Sequence, residues 1–124
     1  MICYKPIHDI VELKKNYPQI IFDEKIIYGG YFGVEQDGTF VGKCLFSING
    51  YNCCLILIDC DYSDKLLVEG FLRAALNFCA NRNAYMAHCE IDEISDVLLM
   101  LGFEKKNNTY SGDIPTLLKG SCCK

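Results

Sequence analysis

Residues 53–79 read CCLILIDCDYSDKLLVEGFLRAALNFC, and their order of patterns decides the fold. Cys53–Ile58 is an unbroken apolar run, which predicts a central strand covered on both faces. From residue 64 to 81 the period changes to 3.6. Leu67, Phe71, Ala74, Ala75 and Phe78 then form one stripe, with Leu72, Leu76 and Cys79 beside it. Between strand and helix stands a short turn whose side chains are Asp61, Ser63, Asp64 and Lys65. Ser63 or Asp61 can cap the helix, and Asn81 or Asn83 can end it in a left-handed conformation.

Working toward the N-terminus, Tyr28–Gln36 and Thr39–Ile48 flank the Asp-Gly hairpin signal QDGT. Phe32, Val34, Phe40, Cys44 and Phe46 sit at even spacings, as strands with one buried face require. Asn49-Gly50 marks the next hairpin turn, so three antiparallel strands are expected in meander order. Ile7, Ile10, Val11, Leu13 and Tyr17 recur at helical spacing and predict a helix over 7–16, stopped before Pro18. Ile20–Ile27 mixes Asp23, Glu24 and Lys25 into apolar residues and fits neither period.

Toward the C-terminus, Ala84–Cys89 reads as a buried strand. It should lie parallel to 53–58 through a right-handed crossover. Ile91, Ile94, Val97, Leu98 and Leu101 make a short helix, with Gly102 placed to end it. Phe103–Lys106 and Thr109–Gly112 are two short strands around Asn107-Asn108, and the tail 113–124 should pack on the sheet. The expectation is a single α+β domain over 1–124 with a mixed sheet. A three-strand meander is followed by helix, parallel strand, helix and two short strands.

Composition narrows the partners. A net charge of −4 over 124 residues, with only Arg73 and Arg82 as arginines, argues against nucleic acid, which needs a basic face. No apolar run reaches the roughly 18–20 residues needed to span a bilayer. The first residues lack a signal-peptide core, so a cytoplasmic protein without a membrane partner is expected. Nine cysteines, an odd number, lie mostly among aliphatic residues and read as free thiols in a reducing compartment. No C-x-x-C occurs, and adjacent Cys53 and Cys54 should face opposite ways, so no metal is expected. Cys122 and Cys123 are read as exposed thiols of the tail.

The order of elements over about 28–112 resembles that of the GCN5-related N-acetyltransferases, the GNAT fold. VGKCLFSI at 41–48, LILIDCDYSDKLLVEGFLRAALNFC at 55–79 and LLMLGFEKK at 98–106 carry the resemblance, and residues 1–27 look like an abbreviated N-terminal part. It implies acetyl-CoA as cosubstrate, with its acyl-pantetheine arm between strands 53–58 and 84–89, and a small-molecule or protein amine as acceptor. In that family the turn reads like Arg/Gln-x-x-Gly-x-Gly/Ala, and amides at the helix N-terminus hold the pyrophosphate. The resemblance places that role on Cys60, Ser63, Lys65, Leu66, Leu67 and Val68. Ser63 stands at the Arg/Gln position, and Leu66 and Val68 at the small-residue positions. Asp61 and Asp64 oppose an anion there. Two unit charges about 6 Å apart at an effective dielectric near 20 interact by roughly 3 kcal/mol.

The same resemblance offers Asp59, or Glu90 at the end of the next strand, as general base. The family's tyrosine acid is replaced by Leu98, which leaves Tyr110 as the nearest later phenol. Asp59 at a strand end is more often a turn or cap residue than a base, and His88 reads as a hydrogen-bonded core histidine; catalysis there would need a carboxylate partner, and Glu90 of the same parity could neighbour it. Cys60 beside a helix N-terminus has the setting of a nucleophile, opposed by Asp61. Three functions therefore stand at this level. They are an N-acyltransferase or a descendant with weakened coenzyme binding, a non-catalytic binding or scaffolding module, and a thiol-based redox or metal protein. An open sheet edge near 28–36 would support a homodimer.

Overall fold

Seven strands form one sheet in the order β1-β2-β3-β4-β5-β7-β6. The structure is a computed structural model and describes residues 1–7 and 9–120. The meander is present as β2 (Ile27–Glu35), β3 (Phe40–Asn49) and β4 (Asn52–Cys60), with turns at Gly38 and Gly50. Their φ values of 94° and 62° lie in the region that favours glycine. The long helix α2 (Lys65–Ala80) crosses to β5 (Met86–Cys89), which pairs parallel with β4. β7 (Thr109–Asp113) lies antiparallel between β5 and β6 (Glu104–Lys106). This is a mixed α+β sheet with one parallel pair, as the sequence predicts.

The N-terminus differs from expectation. Ile2–Pro6 is a strand, β1, paired antiparallel with β2 from Ile2↔Glu35 to Pro6↔Tyr31. The expected free edge at 28–36 is therefore covered, and the argument for a dimer through that edge falls with it. The first helix, α1, runs only over Ile10–Asn16 and is capped by Asp9, whose side chain accepts from the Glu12 amide. Its stripe is narrower than the spacing suggested. Leu13 is buried, as are Ile7 before the helix and Tyr17 after it, whereas Ile10 and Val11 are exposed. Ile20–Ile26 holds no helix or strand. Ile20 and Phe22 pack there against the core under α1, and Phe22 meets Tyr28 edge-on at 4.7 Å.

Two cores flank the sheet. The larger lies under α2 and includes Phe46, Leu55, Ile58, Val68, Phe71, Leu72, Leu98 and Tyr110. Phe71 nests on the Gly33↔Gly42 pair, where a Cβ on Gly33 would come within 2.7 Å of its ring. The smaller core, Ile7, Leu13, Tyr17 and Leu45, lies under α1. β4 is covered less evenly than expected. Cys53, Leu55 and Ile58 are buried against α2, but Cys54, Ile56 and Leu57 on the other face are half-buried.

The C-terminal part follows expectation more closely. A 3-10 turn, Asp92–Ile94, leads into α3 (Ser95–Leu101), which Gly102 ends at φ 116°. Residues 114–120 form a further helix, α4 (Ile114–Gly120), with Ile114 and Leu117 buried. Cys122 and Cys123 lie outside the described residues. Among the described residues no helix is long and apolar enough to cross a membrane.

Candidate functional site: the strand gap and the start of the long helix

β4 and β5 are in register from Asn52↔Met86 to Leu55↔Cys89. β4 then continues from Ile56 to Cys60 with no β5 beside it, so the parallel pair opens into a gap. The register on the other side shows why. β3 pairs Leu45 with Leu57 and Phe46 with Leu55, which leaves Ile56 as an extra residue. A bulge of this kind bends the strand and ends its pairing. β5 stops at Cys89, and the 3-10 turn carries the chain away.

The turn after β4 brings the candidate anion ligands to the gap, but the chain's own carboxylates meet most of their donors. Asp61 accepts from the Ser63 amide at 3.0 Å and from its hydroxyl at 2.7 Å. Asp64, rather than Ser63 or Asp61, is the N-cap and accepts from the Leu67 amide at 3.1 Å. The Val68 amide donates to the Asp64 carbonyl at 3.1 Å. Among the described residues the amides of Lys65 and Leu66 meet no acceptor. The Lys65 ammonium pairs with Asp96 at the start of α3, across the mouth of the gap. Leu67 and Val68 point into the core, while Leu66 is 79% exposed beside the helix end. Burial, then Asp59, Asp61 and Asp64, pushes the Cys60 thiol up to about 11, so it stays protonated near neutral pH. The helix start offers an anion two amides and two opposing carboxylates.

The candidate acid–base residues are spread over both faces. Asp59 is exposed on the α1 face, opposite Lys43 of β3. It lines a cavity of about 280 Å³ with Asn16, Tyr17, Gln19, Lys43 and Tyr62. Tyr62 also packs against the α2-side core, and its hydroxyl donates to the Ile58 carbonyl at 2.6 Å, so it spans the strand end. Burial first, then Glu93 and other nearby acidic groups, raises its pKa and keeps the phenol neutral. Tyr110 lies on the α2 face, fully buried, and donates to Asp92 at 2.7 Å. Leu98 is buried in the same core. Glu90 is exposed and accepts from the Thr109 hydroxyl at 3.3 Å. His88 bonds Ser111 through Nδ1 and Asn52 through Nε2, both at 2.9 Å, not Glu90. The structure thus brings Asp59 to the gap's rim and sets Tyr110 on the opposite face.

Tyr17, Lys43 and Tyr62 were not singled out as site residues from sequence. The even spacing that places Asp59 opposite Lys43 was the available signal for one of them. Among the described residues the cysteines are free thiols, and they lie on both faces of the sheet. Cys53 is buried in the α2-side core, as is Cys79, whereas Cys54 is half-buried on the opposite face. Among the described residues no group of histidine, cysteine or acidic side chains could hold a metal ion.

No protein-family model matches the sequence, and no curated protein matches it. Solved structures do match. Spermidine N-acetyltransferase from Vibrio cholerae, in complex with CoA and spermine, aligns with a TM-score of 0.64 and 12% identity, covering 90% of this chain and 79% of its own. Tetrahymena GCN5 aligns at 0.61 and 8% identity, covering 90% and 96%. The KacTA–DNA complex includes a chain that aligns at 0.65 and 15% identity over the full length of both. This chain therefore has the GNAT fold.

Proposed function

We propose that the protein is an N-acyltransferase with weak affinity for acetyl-CoA. The observation that carries the reading is the gap between β4 and β5, with Asp59 on its rim and the start of α2 at its mouth. The Vibrio neighbour binds CoA and spermine, which supports a coenzyme and an amine here at the level of the fold. When bound, the coenzyme supplies an activated acyl thioester. The backbone of Ile56–Cys60 would flank its arm, and the amides of Lys65 and Leu66 would hold its phosphates.

Asp59 then has the role of general base. Its carboxylate takes a proton from the acceptor ammonium and leaves a free amine pair to attack. Tyr62, a neutral phenol lining the same cavity, would supply a proton to a leaving thiolate on giving up its bond to the Ile58 carbonyl. Glu90 and Tyr110 do not line the cavity that holds Asp59 and have no part in this scheme. A net charge of −4 favours an amine over a nucleic acid as the acceptor.

Transfer of labelled acetyl from acetyl-CoA to a panel of amines tests the reading. Asp59→Asn should slow turnover about 100-fold, in the range for loss of a general base. An unchanged rate would remove Asp59 from the chemistry. A second reading, a binding module that kept the fold, is favoured by the Asp61 and Asp64 carboxylates that take the helix-start donors. Coenzyme binding without transfer to any amine would support it.

A further inference from the structure

The cavity beneath Asp59 carries charges of both signs that do not neutralise each other. Lys43 and Asp59 are directly opposite on β3 and β4. In such a pair the side chains usually meet. Here the Lys43 ammonium instead donates to the Asn16 carbonyl at 2.8 Å, held above the Tyr17 ring at 4.8 Å from its centre. Two of its three N–H donors remain. Among the described residues the Asp59 carboxylate has no hydrogen-bond or ion-pair partner.

A third group lines the same space. Tyr17 is 1% exposed, and its hydroxyl is a buried polar atom without a hydrogen-bond partner. Such an atom costs free energy unless something supplies the missing bond. Burial raises its pKa, so the hydroxyl stays protonated and is available as a donor.

From these three groups we infer that the cavity is a binding site for a free α-amino acid. A ligand ammonium would meet Asp59, while the carboxylate on the adjacent carbon would meet Lys43 and the Tyr17 hydroxyl. A volume of about 280 Å³ lies below the usual range for drug-sized ligands and suits a molecule of that size. A polyamine would satisfy Asp59 and leave Lys43 with no anion. Only the fate of the bound amine, as acyl acceptor, rests on the acyltransferase reading. Occupancy of the cavity does not.

Thermal-shift measurements without coenzyme, on the full chain, test the site. The common α-amino acids are screened singly at millimolar concentration, and each hit is compared with its decarboxylated amine and its deaminated acid. At least one amino acid should raise Tm, and both truncated analogues should fail to do so. Lys43→Met and Tyr17→Phe, checked for native circular dichroism, should weaken the hit by about tenfold or more, as expected when one bond of roughly 1.4 kcal/mol is lost. No shift with any amino acid would overturn the inference, as would an amine or acid analogue that binds equally well. Amino acid binding without acetyl transfer would sink the enzyme reading and leave the site standing. Transfer to spermine with no thermal shift from any amino acid would do the reverse.

Discussion

At the scale of single residues, the account rests on side chains whose surroundings leave a bond unmade. Tyr17 has the clearest test. Tyr17→Phe removes a buried hydroxyl that has no partner, so in the absence of ligand it should stabilise the chain by about 1 kcal/mol. Urea unfolding reads this directly, and a loss of stability would show that the hydroxyl is bonded. The buried thiols make a second prediction. Burial pushes Cys44 from an ordinary 9.0 up to about 12, and Cys89 likewise to about 12. An unfolded chain releases these protons near pH 9 and the folded chain holds them to about pH 12. Above pH 9 the unfolded state therefore binds fewer protons, and stability falls as pH rises through that window. Below pH 9 these two thiols contribute no pH dependence. Cys44→Ala and Cys89→Ala together should flatten the alkaline slope of stability, as denaturant midpoints between pH 8 and 11 would record.

At the scale of elements, β1 is held by one close contact. The Tyr4 ring meets Phe71 edge-on at 5.0 Å, and its hydroxyl donates to the Leu67 carbonyl at 3.2 Å. It passes so near α2 that a Cβ on Gly70 would fall 1.8 Å from the Tyr4 oxygen. Gly70→Ala in a free helix gains about 1 kcal/mol, but here it should cost about 1–2 kcal/mol through displacement of Tyr4. In a Tyr4→Ala background the same change should turn stabilising. Equal effects in both backgrounds would show that β1 does not dock on α2. This strand was not legible in the sequence. ICYKP is short, ends in proline and takes its place only from pairing with Tyr31–Glu35, some thirty residues away. Local pattern did reveal β4, α2, both hairpin glycines and Gly102, because each signal is set by neighbours in the chain. It misjudged Ile10 and Val11, since helical spacing names a stripe and not what covers it. The bulge at Ile56 leaves no local mark, although it opens the gap. Asp59 was legible by its position at a strand end. Tyr17 was legible only as a core residue, since its missing partner is a fact of packing.

For the whole molecule, fold and site chemistry point in partly different directions. The sheet order, the parallel pair that parts after Leu55 and Cys89, and the helix that starts beside the gap give the framework of the GNAT fold. Within it Asp61 and Asp64 take the Ser63 and Leu67 amides, and Lys65 is turned to Asp96. The account joins these as weak coenzyme binding in a gap that remains open. The measurement that tests it most directly is a titration of the isotope-labelled protein with acetyl-CoA, followed by amide NMR. The account predicts saturable shifts at millimolar coenzyme, concentrated in Ile56–Cys60 and at Lys65 and Leu66. Absence of shifts at that concentration, or shifts confined to residues away from the gap, would contradict it.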